Sequence, residues 1–405
     1  MKHAMVVVSA SLAAGLALAG CVDHKAALTG TQSIGVDLVT PASPGDVNNR
    51  LPDGQRLITV NLTAYDANAA VDPTFDRDVD VYVQYLGTLT PSMYGNPPPP
   101  PLAKLHMTAG KAMAQTVMLP PVFGATTLWF DDHEDTDPTY ATGTSPTLWF
   151  RDPTIADIQT PGDETALNAL TDSPLENKQV TVSASRYGAT GRLVVTSVFS
   201  QGYTVSDVNC ADIAGNPPCT TDSYNHIEVF SFSAPTDQGG ALLAEGQTID
   251  GFSGGISEFD GLTEVGFPVT ATSGSDATVV TGRLPAPVKF DPAWFGALSD
   301  PKGRINFERN EAAPIEVDNA KVCQIDDDFT TFGQWKIDPA GVGGDCSGNK
   351  NVLNVITAVV VADLDPTTLV GQTLPRVVGV VRPVEIGSFN VWIIYPRSAA
   401  DLTLQ

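Results

Sequence analysis

GQTIDGFSG at residues 246–254 and GQTLPRVVG at residues 371–379 share their first three residues and their last, at the same spacing. Similarity extends outward in both directions. Ahead of the first stretch lies His226-Ile-Glu-Val-Phe-Ser-Phe232, which reads as a strand, then a segment expected to be a short helix over Asp237–Ala244; the copy ends at Phe267-Pro268. Ahead of the second lies the strand Val352-Leu-Asn-Val-Ile-Thr357, then a helical turn over Asp365–Val370; that copy ends at Tyr395-Pro396. Further upstream, Gly202 and Asp207 match Gly333 and Asp338 in spacing, and Cys219 and Cys346 stand at nearly the same distance before Asn225 and Asn351. An ordered set of matches of this kind marks an internal repeat. The repeated unit reads strand, strand, strand, short helix, strand, strand. That is the order of an OB-fold, a five-stranded Greek-key barrel; a second immunoglobulin-like pair is the competing reading.

The residues before the repeat alternate with period two, which puts successive side chains on opposite sheet faces. Ile34, Val36 and Leu38 form one row, and Ile58, Val60, Leu62 and Ala64 a second. Val79, Val81, Val83 and Tyr85 form a third, opposite Asp78, Asp80, Tyr82 and Gln84. Further strands are expected at 105–108, 113–119, 126–130 and 146–151. Thr-Leu-Trp-Phe occurs at 127–130 and again at 147–150, which suggests neighbouring strands. Several short strands separated by turn signals predict an immunoglobulin-like sandwich. The fold class is therefore all-β: an immunoglobulin-like β-sandwich followed by two OB-like Greek-key β-barrels. The expected division is 1–20 signal peptide, 21–32 tether, 33–152 sandwich, 153–177 linker, 178–272 first OB-like domain, 273–304 connecting segment and 305–405 second OB-like domain.

The N-terminus carries Lys2 and His3, an apolar run from Ala4 to Ala19, and then Leu18-Ala19-Gly20-Cys21. The run is too short and too rich in small residues for a stable membrane span and fits a secretory signal. Small residues ahead of an obligatory cysteine are what lipoprotein signal peptidase requires, so Cys21 is the expected lipidation site; an ordinary secretory signal is the competing reading. Several acyl chains suffice for lasting attachment. Val22 stands where aspartate would resemble an inner-membrane retention signal, which favours an outer-membrane, lipid-anchored protein facing periplasm or cell surface. Cys210, Cys219, Cys323 and Cys346 remain. An even count in an exported chain reads as two disulfides. Of three pairings, Cys210–Cys219 with Cys323–Cys346 keeps each bridge inside one repeat; a zinc site competes weakly, since no CxxC occurs.

The formal charge is −24, with 17% charged residues against a typical ~25%. Such a surface repels phosphate backbones, which argues against a nucleic-acid partner. No HExxH, P-loop or GxGxxG appears, no acid, base and nucleophile set is identifiable, and no cofactor is implied. The densest acidic run is Asp131–Asp137, where Asp131, Asp135 and Asp137 form a candidate calcium site because hard cations take several carboxylate oxygens. The run lacks the glycine pivot and distal glutamate of an EF-hand, and a solvated acidic loop between two apolar strands is the favoured reading. OB barrels bind ligands on a strand face bearing stacking aromatics, for which Tyr203, Phe230, Phe232 and Trp335 are candidates, although barrel core is the favoured reading because few barrel positions hold large side chains.

The stretch Gly191-Arg-Leu-Val-Val-Thr-Ser-Val-Phe199 followed by Gly202-Tyr-Thr-Val-Ser-Asp207 resembles OB-like domains found beside secreted bacterial nucleases, as does Leu284-Pro-Ala-Pro-Val288. The second copy, from Leu369 onward, is similar to the C-terminus of uncharacterised bacterial surface lipoproteins. The resemblance covers about 178–400 and rests on hydrophobic and turn patterns. It implies a fold and a surface address; the nuclease module has no counterpart. The expectation is a non-catalytic lipid-anchored envelope or surface protein that binds or scaffolds an envelope protein or surface polymer. A binding subunit for extracellular nucleic acid or polysaccharide is the alternative.

Overall fold

A computed structural model describes residues 30–85, 100–132, 141–162, 172–273, 278–296, 305–358, 360–361, 363–386 and 389–404. The signal segment, Cys21 and most of the tether lie outside the described residues, as do Asp135, Asp137 and residues 163–171 of the expected linker. No helix among the described residues is long and apolar enough to cross a membrane.

The first module contains β1 (Thr31–Thr40), β2 (Leu57–Asp66), β3 (Arg77–Tyr85), β4 (Ala103–Met107), β5 (Lys111–Met118), β6 (Ala125–Asp131), β7 (Thr142–Thr144) and β8 (Leu148–Trp149). Hydrogen bonding runs β4-β3-β6-β7-β1-β2-β5, with β1 and β7 parallel. The path folds over on itself: Ile58, Val60, Leu62 and Ala64 of β2 share one core with Val79 and Val81 of β3 and with Leu128 and Phe130 of β6. Alternation dictates this, since the intervening Thr59, Asn61 and Thr63 are half-exposed. Two packed layers with this strand order make an immunoglobulin-like sandwich. The two Thr-Leu-Trp-Phe segments are indeed neighbours, with β6 antiparallel to β8 at Ala125–Trp149 and Thr126–Leu148.

The segment expected to be a linker is packed in its described part. In α1 (Ile155–Gln159), the Thr154 hydroxyl accepts from the Asp157 backbone while the Asp157 carboxylate accepts from the Thr154 backbone, a reciprocal cap. Ile155 and Ile158 then enter the core of the first barrel. That barrel comprises β9 (Gln179–Val182), β10 (Gly191–Phe199), β11 (Gly202–Cys210), β12 (Cys219–Thr220), β13 (His226–Phe230), β14 (Thr248–Ile249), β15 (Gly251–Phe259) and β16 (Leu262–Ala271). β10 pairs β11, β11 pairs β13, β13 runs parallel to β16, β16 pairs β15, and β14 returns to β10. With β14 and β15 as one bent strand, this is the closed OB path.

The second barrel repeats it. Its elements are β17 (Val288–Lys289), α2 (Ile305–Glu308), β18 (Pro314–Val322), α3 (Asp327–Phe332), β19 (Gln334–Asp338), β20 (Leu353–Ile356), β21 (Thr373–Ile386), β22 (Phe389–Tyr395) and β23 (Leu402–Thr403). β18 pairs β19, β19 pairs β20, β20 runs parallel to β22, β22 pairs β21, and β21 returns to β18. The connecting segment contributes Trp294 and Phe295 to this core, and Phe307 stacks on Trp392 at 4.5 Å and 12°.

Two details differ from the sequence reading. The turn at Pro366–Leu369 is a 3-10 helix capped by Asp365, as expected, but residues 237–244 of the first copy are not helical. Asp237 Oδ1 instead accepts from the backbones of Gly239 and Ala241, a local turn that competes with helix, and two adjacent glycines favour it. The disulfides are Cys210–Cys219 and Cys323–Cys346. Cys219 and Cys346 both lie between the second and third barrel strands, but Cys210 ends the second strand whereas Cys323 follows the first, so only one cysteine of each pair corresponds. The matched aspartates do correspond. Asp207 lies near the end of the second strand of its barrel and Asp338 ends that of the other, and each accepts backbone N–H groups, from Arg186 in one case and from Ala340, Val342 and Gly343 in the other.

The matched glycines explain their own presence. A Cβ on Gly254 would lie 2.5 Å from Val265 Cγ1 and 2.6 Å from the Gly266 carbonyl oxygen; one on Gly379 would lie 2.6 Å from Ile394 Cγ2 and from the Tyr395 backbone. In both barrels the fourth strand presses on the fifth at this point. Gly254→Ala and Gly379→Ala should each destabilise the chain by about 1–3 kcal/mol, the usual overpacking cost. Gly54→Ala, which meets nothing within 4 Å, should leave the denaturant midpoint unchanged.

Candidate functional site

In the first barrel, Leu193, Val195, Tyr203, Val205, Ile227 and Val229 point into the core. Strand alternation turns Thr204, Ser206, His226 and Glu228 outward, and Thr196, at a register shift in β10, joins them. These five polar residues would be expected to meet water. All are almost completely buried. The second barrel and the segment preceding it supply the cover. Arg382 of β21 places Nε 2.9 Å from a Glu228 carboxylate oxygen. Arg397 donates to the Thr196 carbonyl at 3.4 Å while forking onto Asp401 at 3.0 and 2.9 Å. The Tyr224 backbone donates to the Arg309 carbonyl at 2.7 Å, and the Thr263 backbone to Glu311 at 3.0 Å. Gln159 of α1 donates to the His226 carbonyl at 2.7 Å.

Inside this seam, Thr196 and Thr204 share a hydroxyl contact of 2.9 Å, and Ser206 Oγ lies 2.6 Å from His226 Nδ1. Burial pushes the imidazole down to about 3, so His226 is neutral, and its Nε2 has no hydrogen-bond partner among the described residues. A hydroxyl–imidazole pair suggests a nucleophile with its base, but a base titrating there is far from the range that serves general-base chemistry at neutral pH. Glu228 is pushed up to about 7, because burial outweighs the attraction of Arg382.

A second buried polar group lies beside it. Glu308 of α2 and Glu311 meet Glu258 of the first barrel, which accepts from the Ser173 backbone and the Thr263 hydroxyl, each at 2.8 Å. Burial raises Glu308 to about 8, aided by the charges of Glu258 and Asp172. Burial, with Glu308 and Glu258, raises Glu311 well above the carboxylate range. Among the described residues no group of His, Cys, Asp or Glu is arranged to hold a metal ion.

The sequence-predicted stacking residues separate here. Tyr203 and Trp335 are core residues, as the favoured reading has it, which removes them as stacking candidates: each faces inward on its strand. The Tyr203 hydroxyl bonds Thr270 at 2.8 Å, and the Trp335 indole donates to Thr357 at 3.2 Å. Phe230 is half-buried and meets Phe232 edge-on at 4.5 Å, and Phe232 lies 4.9 Å from Phe267. Phe232 and Phe267 are exposed, and both hold left-handed backbone, φ 58° and 52°. Phe232 is a candidate by sequence, whereas Phe267 is not, because it faces outward only at an irregularity in the pairing of β16 with β15, which alternation does not reveal. Asp131 is buried at the end of β6, apart from any described metal cluster.

Two cavities border the seam. One of about 750 Å³ is lined by Phe123, Arg186, Asp222 and Tyr224, where the three modules meet. The other, of about 540 Å³, lies between the barrels and is lined by Val198, Phe199, Glu228, Val380, Arg382 and Tyr395. Fold and seam define a three-module all-β chain whose two OB-type barrels are joined through a buried polar face. No protein-family model matches the chain, and no curated protein or solved structure is significantly similar to it.

The buried acids set a pH dependence. A carboxyl whose folded pKa is raised binds its proton more tightly in the fold, so its stabilising effect is complete below about 4.5 and is lost as pH rises through the folded value. Between about pH 4.5 and 8, the span from the ordinary glutamate value to the raised values of Glu228 (about 7) and Glu308 (about 8), the chain should lose several kcal/mol of unfolding free energy, at about 1.4 kcal/mol per pH unit per proton, with Glu311 acting in the same direction. Glu308→Gln should flatten that slope in denaturant titrations at fixed pH values; an unchanged slope would show that Glu308 is already ionised in the fold.

Proposed function

We propose that the chain is a non-catalytic, lipid-anchored protein of the outer membrane that serves as an envelope or cell-surface binding or scaffolding module, attached through Cys21 and facing the periplasm or the cell surface. The observation that carries this reading is the fate of the outward strand face of the first barrel. OB barrels take oligonucleotides and oligosaccharides on the face of their second and third strands and the adjoining loops. Here Thr204, Ser206, His226 and Glu228 on that face are buried beneath the second barrel. A face spent on joining modules supports a role as a rigid spacer with other surfaces free for partners. The charge of −24 further disfavours nucleic acid.

The alternative, a binding subunit for surface polysaccharide, draws on one feature: the exposed rings of Phe232, just past β13, and Phe267, within β16. Planar aromatic faces suit sugar rings.

Metabolic labelling with palmitate and membrane fractionation test the anchor: Cys21→Ser should abolish both labelling and sedimentation with outer membranes. Affinity recovery of the tethered chain from envelopes, with and without EDTA, tests the role. Recovery of one stoichiometric protein partner, unchanged by EDTA, is the expected result. Recovery of polysaccharide that is lost in Phe232→Ala/Phe267→Ala would replace scaffolding with the alternative, and EDTA-sensitive recovery would revive a calcium site at Asp131, Asp135 and Asp137.

A further inference from the structure

The cavity between the barrels holds a guanidinium with unused donors. Arg382 spends Nε on Glu228, and its plane lies over Tyr395 at 5.0 Å and Phe199 at 5.8 Å. Its two terminal nitrogens form no hydrogen bond among the described residues. They border a chamber of about 540 Å³ whose other walls are largely apolar: Val198, Phe199, Ile356, Val360, Val380 and Pro396. A chamber of that size falls in the range of ~300–1,000 Å³ that takes small molecules, which pair an apolar body with a few fixed polar contacts. The planar fork of an arginine matches a carboxylate through two parallel hydrogen bonds.

We propose that this interbarrel cavity binds an apolar monocarboxylate, with the acid on the terminal nitrogens of Arg382 and the hydrocarbon body against Val198, Phe199, Val360 and Val380. Charge bookkeeping selects a single negative charge. The other arginine on the wall, Arg397, has its whole fork engaged by Asp401 and the Thr196 carbonyl, whereas Arg382 shares its charge with Glu228 through Nε alone and keeps its terminal nitrogens for a ligand. Glu228, on the same wall, and Glu264, close enough to act on it, oppose a more highly charged phosphate. A cationic amphiphile would place its charge against Arg382. The site draws residues from both barrels, so it exists only because they are joined, and it does not depend on the anchor or on any protein partner.

The test uses the full chain carrying Cys21→Ser, purified without detergent, and titrates it calorimetrically with decanoate, 1-decanol and decyltrimethylammonium. Decanoate should bind saturably, one per chain. Decanol should bind roughly tenfold or more weakly, since it lacks the acid that engages the fork, and the cation should not bind. Arg382→Gln should weaken decanoate by a similar factor. Val360→Trp, at a half-exposed position on the cavity wall, should block it while leaving the unfolding transition in place. Absence of saturable decanoate binding would overturn the proposal. So would equal binding of the cation, or undiminished binding to Val360→Trp.

Discussion

Arg382 and Glu228 meet across the boundary between the two barrels, and the placement of every polar group in the seam follows from that contact. A carboxyl with no exposed surface needs a partner, because stripping its hydration costs several kcal/mol. The first barrel supplies the acid on its third strand and the second supplies the base on its fourth, so neither barrel satisfies its own group. Once the two are held together, Thr196, Thr204, Ser206 and His226 are enclosed as well and must bond to one another. The result is a joint held by one ion pair and a few buried hydrogen bonds, in which both Glu228 oxygens and His226 Nε2 lack a hydrogen-bond partner among the described residues.

Each barrel is also completed by the residues that precede it. Ile155 and Ile158 of α1 enter the first core, and Trp294, Phe295 and Phe307 enter the second. Short OB barrels have open ends, and a helix or aromatic cluster across one end removes apolar surface that the strands alone leave wet. Here that element comes from ahead of the first strand in both copies. Segments that look like linkers by their proline and glycine content are therefore parts of the barrels they lead into, which leaves little freedom between successive modules. The carboxyl cluster of Glu258, Glu308 and Glu311 sits at such a join, with its protons held by burial.

Much of the architecture was legible along the chain because strands report themselves at short range. Ile58 to Ala64 alternates cleanly, since one side of that strand is core and the other half-exposed, and Val79 to Val83 alternates in sequence although Asp80 and Tyr82 are buried too. The matched Gly254 and Gly379 are visible as spacing because close contact between the fourth and fifth strands tolerates no side chain in either barrel. Local pairing of the cysteines was readable for the same reason: Cys210 and Cys219 sit on adjacent strands of one hairpin region. The helix expected at 237–244 was not legible correctly, because the side chain of Asp237 closes a turn that composition alone does not reveal. Of the candidate site, Tyr203 and Trp335 are core, the reading that side-chain size favoured, but alternation alone left stacking open because which face of a strand looks inward depends on register against neighbours that are distant in sequence.

By itself, then, the sequence determined the all-β class, the order of three modules, the duplication of the barrel and the cysteine partners, all of which follow from alternation and spacing within a few tens of residues. Tertiary structure alone decided what the polar face of the first barrel is for. Thr204, Ser206, His226 and Glu228 have the composition of a solvated strand face, and nothing near them in the chain states that Arg382, more than a hundred residues later, will cover them. Burial is a property of what packs on a surface, and alternation tells inside from outside without saying whether the outside remains in water. The interbarrel cavity and its arginine exist only at that level, for the same reason.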